Sequence, residues 1–119
     1  MNLGEPIAKS TIAVTSVTVE KDVTIVNYEG DVGKYGRVFA THRLRASEDT
    51  RQAYEFEGSA RTLLDDGTAV SVSLRGIGRR SGGRFKLFSL DNASNVDQRL
   101  AVIEVDMMEK TASVTVYAL

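Results

Sequence analysis

Apolar and polar residues alternate with a period of two along most of the chain, the spacing of half-buried strands rather than of helices. Eight such runs stand out, at 11–19, 23–28, 35–46, 53–63, 68–75, 84–90, 99–107 and 111–118. Between them lie turn-forming stretches: Glu20-Lys21-Asp22, the Gly-rich 29–33, polar 47–51, Asp65-Asp66-Gly67, a Gly/Arg-rich 76–83, a polar loop from Asp91 to Asp97, and Glu109-Lys110. Asp66-Gly67 is the strongest hairpin signal in the chain. The single proline, Pro6, precedes every run, so no strand carries a ladder breaker.

Consecutive strands joined by short turns pair as neighbours. Eight of them bury their edges best by closing. The chain therefore reads as all-β, a single antiparallel up-and-down barrel of about eight strands over residues 1–119, with a two-sheet β-sandwich as the alternative. A short helix has room only at 46–53 and 91–98, and neither stretch has helical periodicity.

Charge decides which face of each strand turns inward, because burying an unpaired charge costs far more than exposing it. In 53–63, Tyr54, Phe56, Gly58 and Ala60 share one face against Glu55, Glu57 and Arg61. In 68–75, Val70, Val72 and Leu74 oppose Ser71, Ser73 and Arg75. In 35–46, Val38, Ala40, His42 and Leu44 oppose Arg37, Arg43 and Arg45, which sets His42 among apolar neighbours. These inward residues form the expected ligand-binding set: Val38, Ala40, His42, Leu44, Tyr54, Phe56, Val70, Val72 and Leu74.

Two strands are apolar on both faces. Phe85 and Leu87 oppose Phe88 and Leu90, while Ala101, Ile103 and Val105 oppose Leu100 and Val102. An antiparallel sheet facing water does not need a second apolar face. A partner surface accounts for it, so a homo-oligomer is expected. Chain ends lying across the barrel are the other account.

Composition narrows the chemistry. The 119 residues fit one domain. Cysteine is absent and His42 is the only histidine, which removes disulfides, thiol nucleophiles, iron–sulfur clusters and thiolate or all-histidine zinc sites. No metal and no cofactor are expected. Fifteen basic residues against sixteen acidic give a net charge of −1, without the basic excess of a duplex-binding domain. No apolar run approaches the ~20 residues of a membrane helix. Met1 to Lys9 lacks a basic start and a secretory apolar run, so a cytoplasmic location is expected.

An eight-stranded barrel is about the size at which the interior either fills with side chains or holds one small ligand. Small Ala40, Gly58 and Ala60 beside large Tyr54 and Phe56 permit either outcome. In a pocket, His42 would serve as a general acid or base near neutral pH, with Tyr28 or Tyr54 as hydroxyl donor and Glu104 as carboxylate. The plainer reading is a satisfied core histidine and an outward Glu104. The 75–84 segment lacks phosphate-loop spacing and a following helix, leaving a basic hairpin tip or an anion gate at the barrel mouth. The 91–97 loop lacks the Gly and distal Glu of a calcium loop.

With Tyr28-Glu29-Gly30-Asp31, Tyr35-Gly36, Asp66-Gly67 and the closing Val116-Tyr117-Ala118-Leu119, the chain resembles small eight-stranded barrels of the calycin and allene-oxide-cyclase-like groups, and bacterial barrels of this size. The lipocalin Gly-x-Trp start is missing, since the chain has no tryptophan. The cyclase-like resemblance implies shape-selective binding of an apolar substrate, with confinement rather than many polar groups steering the reaction. Three functions follow as expectations: a barrel holding a small apolar or amphipathic molecule, a cofactor-free isomerase or cyclase on the same pocket, or a filled interaction module.

Overall fold

The computed structural model describes residues 3–119. Eight strands follow in order: β1 (Ala8–Val19), β2 (Thr24–Asp31), β3 (Arg37–Ala46), β4 (Ala53–Leu63), β5 (Ala69–Ser81), β6 (Arg84–Ala93), β7 (Gln98–Asp106) and β8 (Thr111–Ala118). Each pairs antiparallel with the next, and β8 returns to β1 through Ala8–Ala13, closing an up-and-down barrel. The expected barrel is the one formed. Among the described residues, no helix is long and apolar enough to cross a membrane.

The inward and outward phases follow the charge argument. Leu44, Tyr54, Phe56, Ala60, Val72 and Leu74 are buried. Outside, Arg37 meets Glu29 and Asp31, and Arg43 and Arg45 converge on Glu57.

Three boundaries differ from expectation, each for a physical reason. β5 runs on to Ser81, so residues 76–81 are strand and only Gly82-Gly83 turn. Gly76 and Gly78 are in-phase inward positions that read as loop only because they carry no side chain. β6 likewise continues through Asp91 to Ala93, although its polar end reads as the start of a loop. Among the described residues the one helical turn, a 3-10 segment at Gly33–Tyr35, lies between β2 and β3 rather than in 46–53 or 91–98.

Side-chain size divides the interior along the barrel axis. Leu44, Tyr54, Phe56, Phe85 and Leu87 fill one half, with Tyr54 edge-on to Phe85 at 5.1 Å between ring centres. In the other half the inward positions are Val38, Ala40, Ala60, Val72, Ala93 and Ala101. Small residues on facing strands leave space there, and that half ends at the β2–β3, β4–β5 and β6–β7 loops.

Candidate functional site

The open half encloses a cavity of ≈ 80 Å³ walled chiefly by aliphatic side chains, among them Val38, Ala40, Ala60, Val72, Ala101 and Ile103. Six polar or ionisable side chains break this wall: Tyr28, Tyr35, His42, Thr62, Asp91 and Arg99. A vestibule of ≈ 190 Å³ lies above it, bounded by Lys34, Leu64, Val70 and Asn95. Tyr35, Thr62 and Arg99 border both spaces and form the neck between them.

His42 is 2% exposed. Its ring stands edge-on to Tyr28 at 5.0 Å and tilted against Phe56 at 4.7 Å. Nδ1 lies 3.0 Å from the Tyr28 hydroxyl, while Nε2 is buried with no hydrogen-bond partner among the described residues. Burial pushes the His42 pKa down to about 4, so the ring is neutral at pH 7. Burial likewise raises the Tyr28 pKa and keeps its hydroxyl protonated. Those two states select the tautomer. If Tyr28 O–H donates to Nδ1, only the Nε2 N–H lacks a partner; the reverse leaves both a phenol proton and an Nε2 lone pair unmet. Nε2 therefore carries the proton and presents a donor.

Asp91 follows Phe85, Leu87 and Ser89 in the inward phase of β6. Its Oδ1 accepts a hydrogen bond from Ser89 Oγ at 2.6 Å. Burial raises its pKa to about 6, opposed by the Ser89 bond and by the charge of Arg99, its cross-strand neighbour. Arg99 is itself buried; its Nη1 is 3.2 Å from Asp97 Oδ2, and its guanidinium lies over the Tyr35 ring at 4.2 Å. Lys34 approaches the same ring at 5.4 Å, and the Tyr35 hydroxyl is buried without a partner among the described residues.

Of the residues expected around a ligand, Val38, Ala40, His42, Val72 and Leu74 line the cavity and Val70 lines the vestibule. Leu44, Tyr54 and Phe56 belong to the filled half. Two expected partners of His42 are elsewhere. Tyr54 packs on Phe85 at the far end, and Glu104 points outward 3.8 Å from Lys86, because the inward phase of β7 runs through Arg99, Ala101, Ile103 and Val105. The anion-gate reading fails on position: Arg79 and Arg80 lie at the filled end, where Arg80 donates to the Arg51 and Gly82 carbonyls.

Asp91, Arg99 and Tyr35 are the site residues that sequence reading passed over. Their signal was present for β6 and β7: Arg99 opens the run 99–107 in phase with Ala101, Ile103 and Val105, and Asp91 is the next inward position beyond the run 84–90. Tyr35 had no such signal, since a 3-10 turn sets its direction.

Comparison with protein-family models, with curated proteins and with solved structures returned no match.

Proposed function

We propose that the barrel binds a small amphipathic molecule in its open half, with the apolar part in the cavity and polar atoms meeting His42 and the neck. The observation that carries this reading is His42 Nε2, buried without a hydrogen-bond partner among the described residues, on a side chain that lines a chiefly aliphatic chamber. An unmet buried donor costs about 1–3 kcal/mol, and a ligand acceptor at that point recovers it. A cavity of about 150 Å³ takes up benzene, so ≈ 80 Å³ suits a group of only a few non-hydrogen atoms, with any longer portion reaching into the vestibule. The resemblance to calycin and allene-oxide-cyclase-like barrels agrees with interior binding. A barrel filled throughout, serving only as an interaction surface, would not leave a cavity of ≈ 80 Å³ with His42 in its wall.

Native mass spectrometry on protein purified without denaturation tests the reading, beside Ala60→Leu, which fills the chamber. A discrete small adduct on the wild-type chain that disappears in the variant supports interior binding. An adduct that survives in Ala60→Leu contradicts it.

We also propose that the apolar outer face belongs to an interface with a second copy of the chain. Ile77, Phe88 and Val102 are cross-strand neighbours, as are Leu90, Leu100 and Tyr117 in the adjoining row. Ile77 is 66% and Leu90 58% exposed. Arg79, Lys86 and Glu104 form the next row. A two-fold axis along β6 would set Ile77 against the partner subunit's Val102 and Arg79 against the partner subunit's Glu104, pairing apolar with apolar and cation with anion. Light scattering at micromolar concentration should give a dimer mass for the wild type and a monomer mass for Phe88→Lys; a wild-type monomer would overturn the interface.

A further inference from the structure

Three groups meet at the cavity in complementary chemical roles. His42 offers a neutral Nε2 N–H whose tautomer is held by Tyr28, and Asp91 offers a carboxylate whose one hydrogen-bond donor among the described residues is Ser89. Arg99 lies beside Asp91 but is already engaged by Asp97 and the Tyr35 ring. Its charge is thus largely balanced by Asp91 and Asp97, and nothing in the cavity calls for an anion. A neutral molecule fits better, with an acceptor oxygen for His42 and a weakly acidic hydrogen facing Asp91.

The register explains how these groups come together. His42 pairs with Gly58, Gly58 with Leu74, Leu74 with Asp91 and Asp91 with Arg99, one continuous row around the barrel wall. Side chains projecting inward from this row converge on the interior. His42 and Asp91 line the same chamber of ≈ 80 Å³, which places both in the wall around a molecule that fills it.

Resting on the interior-binding reading, we propose that the cavity is a proton-transfer site for small uncharged carbonyl compounds, in which Asp91 removes a proton from the carbon next to the carbonyl and His42 Nε2–H holds the oxygen. The α-carbon–hydrogen bond breaks and its proton goes to the Asp91 carboxylate. The electron pair forms the carbon–carbon double bond, and the carbonyl π pair moves to oxygen, giving an enolate hydrogen-bonded to Nε2–H. Return of the proton from Asp91 to a conjugated carbon completes an isomerisation, and replacement of the Asp91 proton by one from solvent before return to the same carbon completes an exchange; either way the base is regenerated. No electrons are gained or lost, and no co-reactant is consumed. A neutral imidazole suits this role because it donates without surrendering its proton to solvent, and a fixed donor is most effective where water is excluded. Tyr28 is a positioning residue: it fixes which nitrogen donates.

The test is deuterium uptake at the α-carbon of 2-butanone, 3-pentanone and cyclopentanone in D₂O buffer, followed by proton NMR. In parallel, binding of each ketone is read from the His42 ring signals. Wild-type protein should accelerate exchange over buffer. Asp91→Asn should lower the protein-dependent rate by about 10²- to 10⁴-fold, and His42→Gln by about 10²- to 10³-fold, with both variants checked for native amide spectra. Tyr28→Phe should retain binding but slow exchange. Ser89 on its own strand and Arg99 from β7 act on the Asp91 carboxyl, while Tyr35 from the helical turn, His42 from β3 and Tyr28 from β2 line the same cavity; Asp91 titrates near 6 and His42 near 4. The wild-type rate should therefore rise through about pH 6 and level off above it, a profile absent from Asp91→Asn. If the ketones perturb His42 but exchange no faster than in buffer, the proton-transfer proposal falls and the binding reading stands. If none perturbs His42, both fall.

Discussion

Burial gives His42 and Asp91 opposite dependences of stability on pH. The His42 pKa lies near 4 in the fold against 6.5 for a free histidine. The unfolded chain therefore takes up that proton first, and stability falls as pH drops from about 6.5 towards 4. The Asp91 pKa lies near 6 against 3.8. Here the fold holds the proton more tightly, so stability is gained on acidification and lost as pH rises through about 6. Each shift corresponds to on the order of 3 kcal/mol, and between pH 4.5 and 6 the two slopes oppose each other. Urea denaturation across this range should show Asp91→Asn losing stability on acidification more steeply than wild type, and His42→Gln less steeply. Parallel curves for all three proteins would mean that neither group is buried as described. Val96 is a second residue-scale liability: a β-branched side chain at φ 73° and 88% exposed. Left-handed backbone costs such a residue about 1–2 kcal/mol, so Val96→Gly should raise the melting temperature by a few degrees in calorimetry. Sequence alone located His42 correctly, because charged Arg37, Arg43 and Arg45 fixed the phase of its strand. It left Glu104 open between an inward carboxylate and an outward charge because Leu100 and Val102 share its face and look like core; that face is the apolar outer surface, and Glu104 points outward with it.

Among the strands, β5 shows what local reading misses. Gly76 and Gly78 sit within a 13-residue strand of the barrel wall. A side chain at Gly76 would overlap the Phe88 carbonyl oxygen and come within 2.9 Å of the Phe56 ring. Glycine is required there by close approach of the neighbouring strand, not by a turn. Gly76→Ala should cost about 3 kcal/mol, near the upper end of the penalty for overpacking a core, measured by denaturant midpoint; an unchanged midpoint would mean that β5 and β6 lie further apart at this position. The same strand separates two kinds of legibility. The alternation of Val70, Val72 and Leu74 was readable because side chains report the phase, while glycines at the next two inward positions leave no such report. The β3–β4 connection was seen only as polar. Its order comes from Glu48, whose carboxylate accepts from the Thr50 hydroxyl and from the backbone N–H groups of Thr50, Gln52 and Ala53; the Thr50 hydroxyl first, and then the backbone bonds, lower its pKa to about 2.

For the molecule as a whole, short connections and eight alternating runs were enough to specify a closed meander, because closure alone leaves no strand edge bare. What the pattern did not reveal was that the barrel fills at one end and opens at the other. That division depends on how bulky Tyr54, Phe56 and Phe85 meet across the interior, and on Ala40, Ala60 and Ala101 meeting at the opposite end. Pairings between distant strands decide it, not any single strand. The central claim is that this open end receives a small molecule against His42. The direct measurement is a long-range proton–nitrogen NMR correlation of the His42 ring during titration with cyclopentanone, in wild type and in Ala60→Leu. The account predicts an Nε2-protonated ring whose Nε2 signals shift saturably in the wild type and stay fixed in the variant. An Nδ1-protonated ring, or a titration identical in both proteins, would contradict it.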